Sequence, residues 1–572
     1  EFRDKEGRVI LKKVQTGGTQ EDEGNGTAYT GWICTYYIYD DLGNLRCVIQ
    51  PLGVSVLSAT NWVLTSALVK EVYFTYEYAV RRRMIMKKVP GVAPANAVYM
   101  VYDARDRLVM TQDGRQRTGS PPIWLVNHYD ELNRSIQTGY VSTTYSGLNG
   151  KTFLQILSAA AGCTAYPFAV ANVPGSTYYT KLTQTGYDNY DGMDPAETNF
   201  TKDLDNAYTN GGYLHTTYNT APLYAQQPVQ SFQTRGLVTW SKELIYGTTY
   251  YLYNVHIYDA KGRLIQLKKK NFSGGAFITT IQYNWAGQPL RIVRRHRKGL
   301  SPVQTSITLT DLSYDALGRV TQTQMKIRND LISNNQFPSS WTTISKIEYD
   351  ALGRLKKKQL GNKPSAPQQP LAQLEYDYNI RGWLLGINKD YITGSSNNDR
   401  YFGMELGYDK SPGLGTYGTA QYNGNIAGTL WKSEGDGQQR KYNFGYDAVN
   451  RLTGAAFGQY ASGSGSSAVF NTGAGVDFTV SGITYDLNGN LKALNRSGLL
   501  LNSSAPVDGL TYSYAENSNR LLGVEDSAPA AGMPLGDFRD GANVSTDDYE
   551  YNVNGSLTKD LNKDISDISY FN

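Results

Sequence analysis

The chain has very few of the residues that usually hold metals or cross-links, with 3 cysteines and 4 histidines among 572 residues. Cys34, Cys47 and Cys163 cannot all pair with one another and none lies in a Cys-x-x-Cys motif, so neither a disulfide framework nor a zinc site is expected. Cys34 and Cys47 could meet across a hairpin, but free thiols are the preferred reading. His128, His215, His256 and His296 are scattered, with no two at ligand spacing. No metal and no cofactor is expected. Long apolar runs are also lacking: the most apolar stretch, around Phe153 to Val173, is interrupted by Ser, Thr, Gly and Pro. A membrane-spanning helix needs about 20 apolar residues, so none is expected. Nor is one sign of charge dominant. The 55 basic and 51 acidic residues leave +4, which makes no broad electrostatic case for nucleic acid. Finally, no Gly-x-Ser-x-Gly elbow, Walker loop or His-Glu-x-x-His motif occurs. Turn capping is a simpler account of the carboxylates than a glycosidase pair. No catalytic residue is expected and the chain is read as a non-enzyme.

What the chain does have is tyrosine and glycine, 45 and 58 residues, within a composition only 40% hydrophobic. Tyrosine suits strands because its ring packs on a pleated surface while its hydroxyl stays wet. Glycine in this number suggests many turns at positive φ. Together they describe an all-β chain with much sheet surface and little deep core.

Self-similarity is the strongest signal. The pattern is Tyr, Asp or Asn, two variable residues, a small turn residue, Arg or Asn, then an aliphatic. It begins at Tyr39-Asp40, with Gly43, and recurs at Tyr102-Asp103 and Tyr129-Asp130. It returns at Tyr258-Asp259 with Gly262-Arg263, at Tyr314-Asp315 with Gly318-Arg319, and at Tyr349-Asp350 with Gly353-Arg354. Tyr446-Asp447 with Arg451 and Tyr485-Asp486 with Gly489 continue the series, and weaker copies begin at Tyr78, Tyr283, Tyr378, Tyr514 and Tyr551. Most neighbouring copies lie between 24 residues (Tyr78 to Tyr102) and 39 residues (Tyr446 to Tyr485) apart, one long hairpin per repeat. Asp at the first turn position bonds backbone N–H groups ahead of it, starting a type I turn. Gly or Asn three residues later tolerates the left-handed conformation that closes a bulged hairpin. The Tyr and the aliphatic residue flank the turn on its two strands, and the Arg is placed to lie over a Tyr ring or pair with the Asp. Each such pair contributes only about 0.2–1 kcal/mol, so stability must come from summing repeats.

These residues resemble the YD-repeat, or RHS-repeat, family of bacterial proteins, and also the repeat shell of teneurins. The likeness extends over essentially the whole chain. It includes longer phrases such as Asn379-Ile380-Arg381-Gly382-Trp383-Leu384 and Gln421-Tyr422-Asn423-Gly424-Asn425-Ile426-Ala427-Gly428. The resemblance implies a spiralling antiparallel β-hairpin sheet that forms part of a hollow shell. It further implies enclosure of a variable C-terminal toxin or effector, released after cleavage at a core region carrying an Asp-Pro signature. Asp194-Pro195 lies mid-chain in a loop-like context and does not match that region. The segment is therefore expected to be shell wall from a longer, secreted or surface-exposed protein, without the cargo or core domain that would be its partner. Secretion machinery or a surface glycan are the other partners the resemblance suggests. The alternative function is a cell-surface adhesion or carbohydrate-binding scaffold without cargo.

Residues 1–572 read as a single repeat array, with 136–235 a less regular or capping insertion and 461–476 and 524–547 exposed loops. Four basic clusters stand out: Arg81-Arg82-Arg83, Lys268-Lys269-Lys270, Arg294 to Lys298, and Lys356-Lys357-Lys358. The last three follow a repeat turn at similar offsets and could align as a positive stripe for an acidic cargo or polysaccharide. A charged sheet face that resists edge-to-edge pairing is the plainer reading. Trp383 and Trp431 could stack on sugars, although cross-strand packing is the commoner use.

Overall fold

Burial alternates with period two along the strands. Tyr253, Val255 and Ile257 are buried along Tyr251–Tyr258 while their neighbours stay half-exposed, and Ile278, Thr280 and Gln282 do the same along Ala276–Tyr283. Successive side chains of a strand point to opposite faces, so one face of this region is covered and the other is wetter. The computed structural model describes the chain apart from residues 18–28, 164–176, 222–223, 333–334, 395–398, 410–412, 501–502, 529–537, 540–546 and 571–572. Among the described residues 31 strands form one sheet, and Tyr549–Tyr551 pairs with Leu557–Asp560 as a separate ribbon. All registered strand pairs are antiparallel and almost all join neighbours in sequence, from Phe2–Arg3 to Leu521–Asp526. The chain is thus an all-β, spiralling antiparallel hairpin-repeat sheet. Twist accumulates from strand to strand, and open sheets seldom exceed about 10 strands without curling. This one curls far enough for its two ends to meet.

The core is a series of local clusters rather than one centre, because each hairpin touches mainly its neighbours. Short helices supply the cover: α1 (Pro51–Ala59), α2 (Ser66–Val72), α3 (Gly114–Thr118), α4 (Phe153–Ala161), α5 (Pro195–Thr198) and α6 (Lys389–Thr393). Pro51 opens α1, where its missing N–H costs nothing. A capping box between Thr152 and Gln155 starts α4. Val54 and Leu57 of α1 and Leu68 and Val72 of α2 pack on Leu11, Cys34, Ile49 and Tyr73 of the sheet. Ile156 and Ala160 of α4 join Val101, Met110, Trp124, Val126 and Val141. Cys34 and Cys47 form no disulfide and do not face each other, since Cys47 is registered opposite Ile38.

Residues 136–235 hold two different things. Ser135–Ser142 and Tyr179–Asp188 are ordinary strands of the ribbon, paired with each other and with their neighbours. The described residues between Asp188 and Thr234 form an irregular strap across one face of the strands that follow. Tyr190, Met193, Phe200 and Leu204 cover Val255, Ile257 and Ile265, and Leu214 is buried with Val293, Ile307 and Leu309. In 461–476, Val469–Asn471 folds back as a spur on Leu452–Ser462, and Phe470 packs against the cluster of Ile392, Leu414 and Leu430. Of 524–547, Val524 to Asp526 end a strand, and most of the remainder lies outside the described residues.

The repeat turns carry a direct stability prediction. Gly353 sits at φ 83° and Gly318 at φ 81°. A Cβ on Gly318 would collide with Nε2 of Gln288, and one on Gly353 would lie 3.3 Å from Nη1 of Arg319. Gly353→Val and Gly318→Val should each cost about 1–2 kcal/mol through the left-handed backbone alone. Limited proteolysis at the altered hairpin reads the effect, and unchanged resistance in both variants would refute the turn geometry.

Candidate functional site: repeat turns, lined face and seam

Each turn is built around one carboxylate. Asp40 Oδ1 accepts the N–H groups of Leu42 (3.1 Å) and Asn44 (2.8 Å). The same two bonds, to residues two and four ahead, recur at Asp103, Asp130, Asp259, Asp315, Asp350 and Asp447. At those six the second oxygen takes Nε of Arg107, Arg134, Arg263, Arg319, Arg354 and Arg451 at 2.6–2.7 Å. Asp486 holds Asn490 in the same way, through its backbone and its amide. Gly43, Gly262 and Gly489 stand where Gly353 does, and Asn133 and Asn450 replace glycine at φ 64° and 67°.

The turns are also fastened to one another, which the motif alone does not reveal. Each Tyr is registered opposite the residue that leaves its own turn, as Tyr39 is to Leu45 and Tyr349 to Leu355, and Ser135 takes the place of the aliphatic opposite Tyr129. Its hydroxyl, however, donates to a carbonyl of the preceding hairpin: Tyr129 to Leu108 (3.0 Å), Tyr258 to Val238 (2.7 Å), Tyr314 to Pro289 (2.6 Å), Tyr349 to Val320 (3.0 Å), Tyr446 to Ile426 (2.9 Å) and Tyr485 to Leu452 (2.8 Å). The turn arginine lies over the Tyr of the following repeat: Arg107 over Tyr129, Arg263 over Tyr283, Arg319 over Tyr349, Arg451 over Tyr485. It therefore joins its own Asp and the next ring at once. Tyr102 departs from the pattern, with its hydroxyl against the sulfur of Met100.

The carboxyls at several turns titrate below their ordinary range. Hydrogen bonds from the Asn44 amide lower Asp40, and the Arg319 backbone N–H lowers Asp315. At Asp130, Asp350 and Asp447 burial works upward, but the bonds from the turn arginine outweigh it. A carboxyl depressed on folding stabilises the fold fully above its unfolded pKa of about 3.9, and that contribution is lost as pH falls through the folded value. Urea midpoints should therefore change little from neutral pH to about pH 5 and fall steeply below about pH 4. A midpoint flat across that acid range would contradict the carboxylate-centred turn.

The strap is held to the lined face largely by polar side chains that the sequence does not single out. Gln266, fully buried, accepts the Asp205 N–H (2.9 Å) and donates to the Asp205 carbonyl (3.1 Å). Gln282, also fully buried, does the same for His215, at 2.9 and 2.8 Å. Lys268 donates to the carbonyls of Thr201 and Asp203, and Lys270 to that of Glu197. The Glu197 carboxylate pairs with Lys242 at 3.2 Å and accepts the Tyr253 hydroxyl. Burial, with the Glu197 charge, drives the Tyr253 hydroxyl far upward, so it stays a proton donor. Asp194-Pro195 opens α5 within this strap.

The basic clusters distribute differently from a single stripe. Lys268, Arg295 and Arg328 fall in one directly paired row, alternating with Val255, Ile278 and Ile307. Lys269, Arg294 and His296 point to the opposite face by strand parity. Lys356, Lys357 and Lys358 lie on Leu355–Leu360, separated from Pro289–Lys298 by three further strands, and Lys357 approaches Glu375 at 3.9 Å. That cluster does not join the row. Arg81 and Arg83 are spent on Asp106.

The third feature is a seam where the ribbon returns to its own beginning. Asn488 Oδ1 accepts the Leu52 N–H at the start of α1 across 436 residues (2.8 Å), and Asn519 Nδ2 donates to Gln50 across 469 (2.9 Å). Asn554 Oδ1 accepts the Arg115 N–H in the first turn of α3 across 439 residues (3.0 Å). Repeat turns from one coil thus satisfy helix N–H groups of the other, which a helix cannot satisfy internally. Between them Glu71, only 7% exposed, accepts the Ser518 hydroxyl and faces Lys70 at 2.8 Å and Arg520 at 3.4 Å. Burial raises the Glu71 carboxyl, but Lys70, Ser518 and Arg520 outweigh it and hold it below the usual range. Behind α2, Lys88 is fully buried and donates to the carbonyls of Val69, Lys70 and Tyr73; burial pushes it down to about 8. No signal in the sequence marks Glu71, Lys88, Gln266 or Gln282 as special, because their partners come from distant segments.

This architecture defines a class: a repeat-sheet protein whose coil closes on itself through its turns. No protein-family profile matches the chain, and no curated protein matches it in sequence. Among solved structures it is similar to TcdB2-TccC3-TEV, with 97% of this chain aligned to 22% of that one at 13% identity and a TM-score of 0.52. TcdB2-TccC3 without its hypervariable C-terminal region aligns over 97% and 21% of the two chains at 14% identity and TM-score 0.43. The Photorhabdus luminescens Tc holotoxin pore aligns over 92% and 26% at 13% identity and TM-score 0.26. The first of these likenesses shows a shared fold, and the chain spans about a fifth of the length of that structure's chain. No helix among the described residues is long and apolar enough to cross a membrane.

Proposed function

We propose that this chain is a stretch of wall in an RHS-repeat encapsulating shell of a secreted or surface-exposed protein, enclosing a C-terminal toxin or effector. The observation that carries the reading is the seam: the ribbon completes a circuit and its turns lock onto helices near its start. The fold shared with TcdB2-TccC3-TEV supports it. In this reading the wall works sterically, without catalysis, keeping a polypeptide from proteases and from premature folding. The test is to express the chain followed by a protease-sensitive reporter and to follow cleavage of the reporter. Protection that disappears when the seam is weakened at Glu71 supports enclosure; a reporter cut as fast as the free peptide refutes it.

A second reading, a carbohydrate-binding surface scaffold, is favoured by one feature. Trp383, Tyr408 and the exposed Tyr422 line a cleft of about 500 Å³ together with Glu405 and Gln421, an arrangement of ring faces and hydrogen-bonding groups suited to a sugar. Glycan-array binding lost in Tyr422→Ala would favour it.

A further inference from the structure

A second cleft, also of about 500 Å³, opens between the strap and the strands Leu264–Lys270, Ala276–Tyr283 and Pro289–Lys298. Its floor is a rectangle of cations. Lys268 and Arg295 flank Ile278 in one directly paired row, and Lys270 and Arg297 flank Ala276 in another. Strands are about 4.8 Å apart and rise about 3.4 Å per residue. The Cα atoms that carry the cations therefore stand about 10 Å apart across each row and about 7 Å apart along each strand. Lys268 and Lys270 each give bonds to strap carbonyls, but one ammonium donor of Lys268 and two of Lys270 are left over. Arg295 rests on the Tyr208 ring, its Nε makes no hydrogen bond, and neither it nor Arg297 has an ion-pair partner among the described residues. Among the described residues the one carboxylate lining the cleft, Asp205, accepts the Ala207 N–H at 3.0 Å.

We propose that this cleft binds an extended acidic polypeptide segment, with carboxylates at alternate residues facing the cations. In an extended strand every second side chain shares a face, about 7 Å from the next, which is the spacing of Lys268 from Lys270 and of Arg295 from Arg297. Ala276 leaves the middle of the floor low, so a chain can lie between the two cation columns. Guanidinium groups favour carboxylates through paired N–H donors. The inference rests on the enclosing reading only for where the segment comes from, namely the enclosed polypeptide. The binding itself is tested without enclosure, so the two can fail separately.

The probe is a fluorescent peptide of alternating glutamate and serine, titrated against the full chain by anisotropy at low and at physiological salt. Binding that weakens with salt is expected. Arg295→Gln with Arg297→Gln should weaken it about tenfold or more. Arg294→Gln with Lys298→Gln removes the same charge from the opposite face and should leave it unchanged. Ala276→Glu, which puts a carboxylate on the floor and removes no cation, should weaken binding as much as the double arginine variant. It also decides the matter if that variant fails to fold. Equal loss in both double variants, unaltered binding in Ala276→Glu, or no binding at all would overturn the proposal. Full displacement of the peptide by inorganic phosphate at equivalent charge would overturn the choice of a polypeptide and indicate a small-anion site.

Discussion

Gln282→Leu is expected to free the strap around His215 while leaving the ribbon beneath it folded. The side chain is fully buried and holds both backbone groups of His215, with a weaker contact to the Gln226 carbonyl at 3.3 Å. Leucine fills a similar volume but offers no partner. A buried backbone group left without a hydrogen bond costs about 1–3 kcal/mol, and two such groups make roughly 3 kcal/mol a reasonable total. Leu214, buried against Val293, Ile307 and Leu309, would lose its seat with them. The hairpins below are held by their own ladders and by the tyrosine and arginine links between turns. In a repeat array such a loss stays local. Hydrogen exchange at the His215 amide should speed up greatly, while exchange in Ala276–Tyr283 changes little. Unchanged protection at His215 would mean that apolar packing alone holds the strap.

Glu71→Ala is expected to open the seam. It removes the shared acceptor of Lys70, Ser518 and Arg520 and leaves Arg520 facing the neighbouring coil without its partner. Breaking a fully buried ion pair costs about 3–5 kcal/mol. Lys70 and Arg520 are about a third exposed here, so solvent screening brings the figure to roughly 2 kcal/mol. Because the coil closes through a few polar contacts, this loss should appear as a larger radius of gyration and as new proteolysis near residues 514–520. The strand ladders would be unaffected. A double-mutant cycle with Ser518→Ala isolates the coupling, and a coupling near zero would show that the seam is held elsewhere. Acid should act in the same direction, since the depressed Glu71 carboxyl stabilises the seam above its unfolded pKa of about 4.3 and stops doing so as pH falls through its folded value.

The links between repeats explain why the fold is readable from so few residues. Asp350 caps the turn, Gly353 closes it in the left-handed conformation, and Arg354 pairs with the carboxylate. Those local roles require particular side chains at fixed offsets. Most of each hairpin needs only residues that suit a pleated surface, so sequences with this fold can diverge until whole-sequence comparison finds no relative. At 13% identity the shape shared with TcdB2-TccC3-TEV persists. The insertion was less legible. Residues 136–235 look irregular in sequence, yet two stretches in it are strands of the ribbon, and the remainder is a strap whose fastening by Gln266 and Gln282 has no local signature. The basic clusters show the same limit. Runs such as Lys268-Lys269-Lys270 are visible, but strand parity sends alternate members to opposite faces, and register decides which of them meet.

By itself the sequence determined the turn and its repetition, and hence an antiparallel ribbon with a thin core, because capping and positive φ are settled within five or six residues of chain. Only the tertiary structure decided where the ribbon closes and which polar groups become buried. Twist summed over many strands sets the curvature, and that sum brings Asn488 to Leu52 and Glu71 to Ser518, contacts between segments more than 400 residues apart.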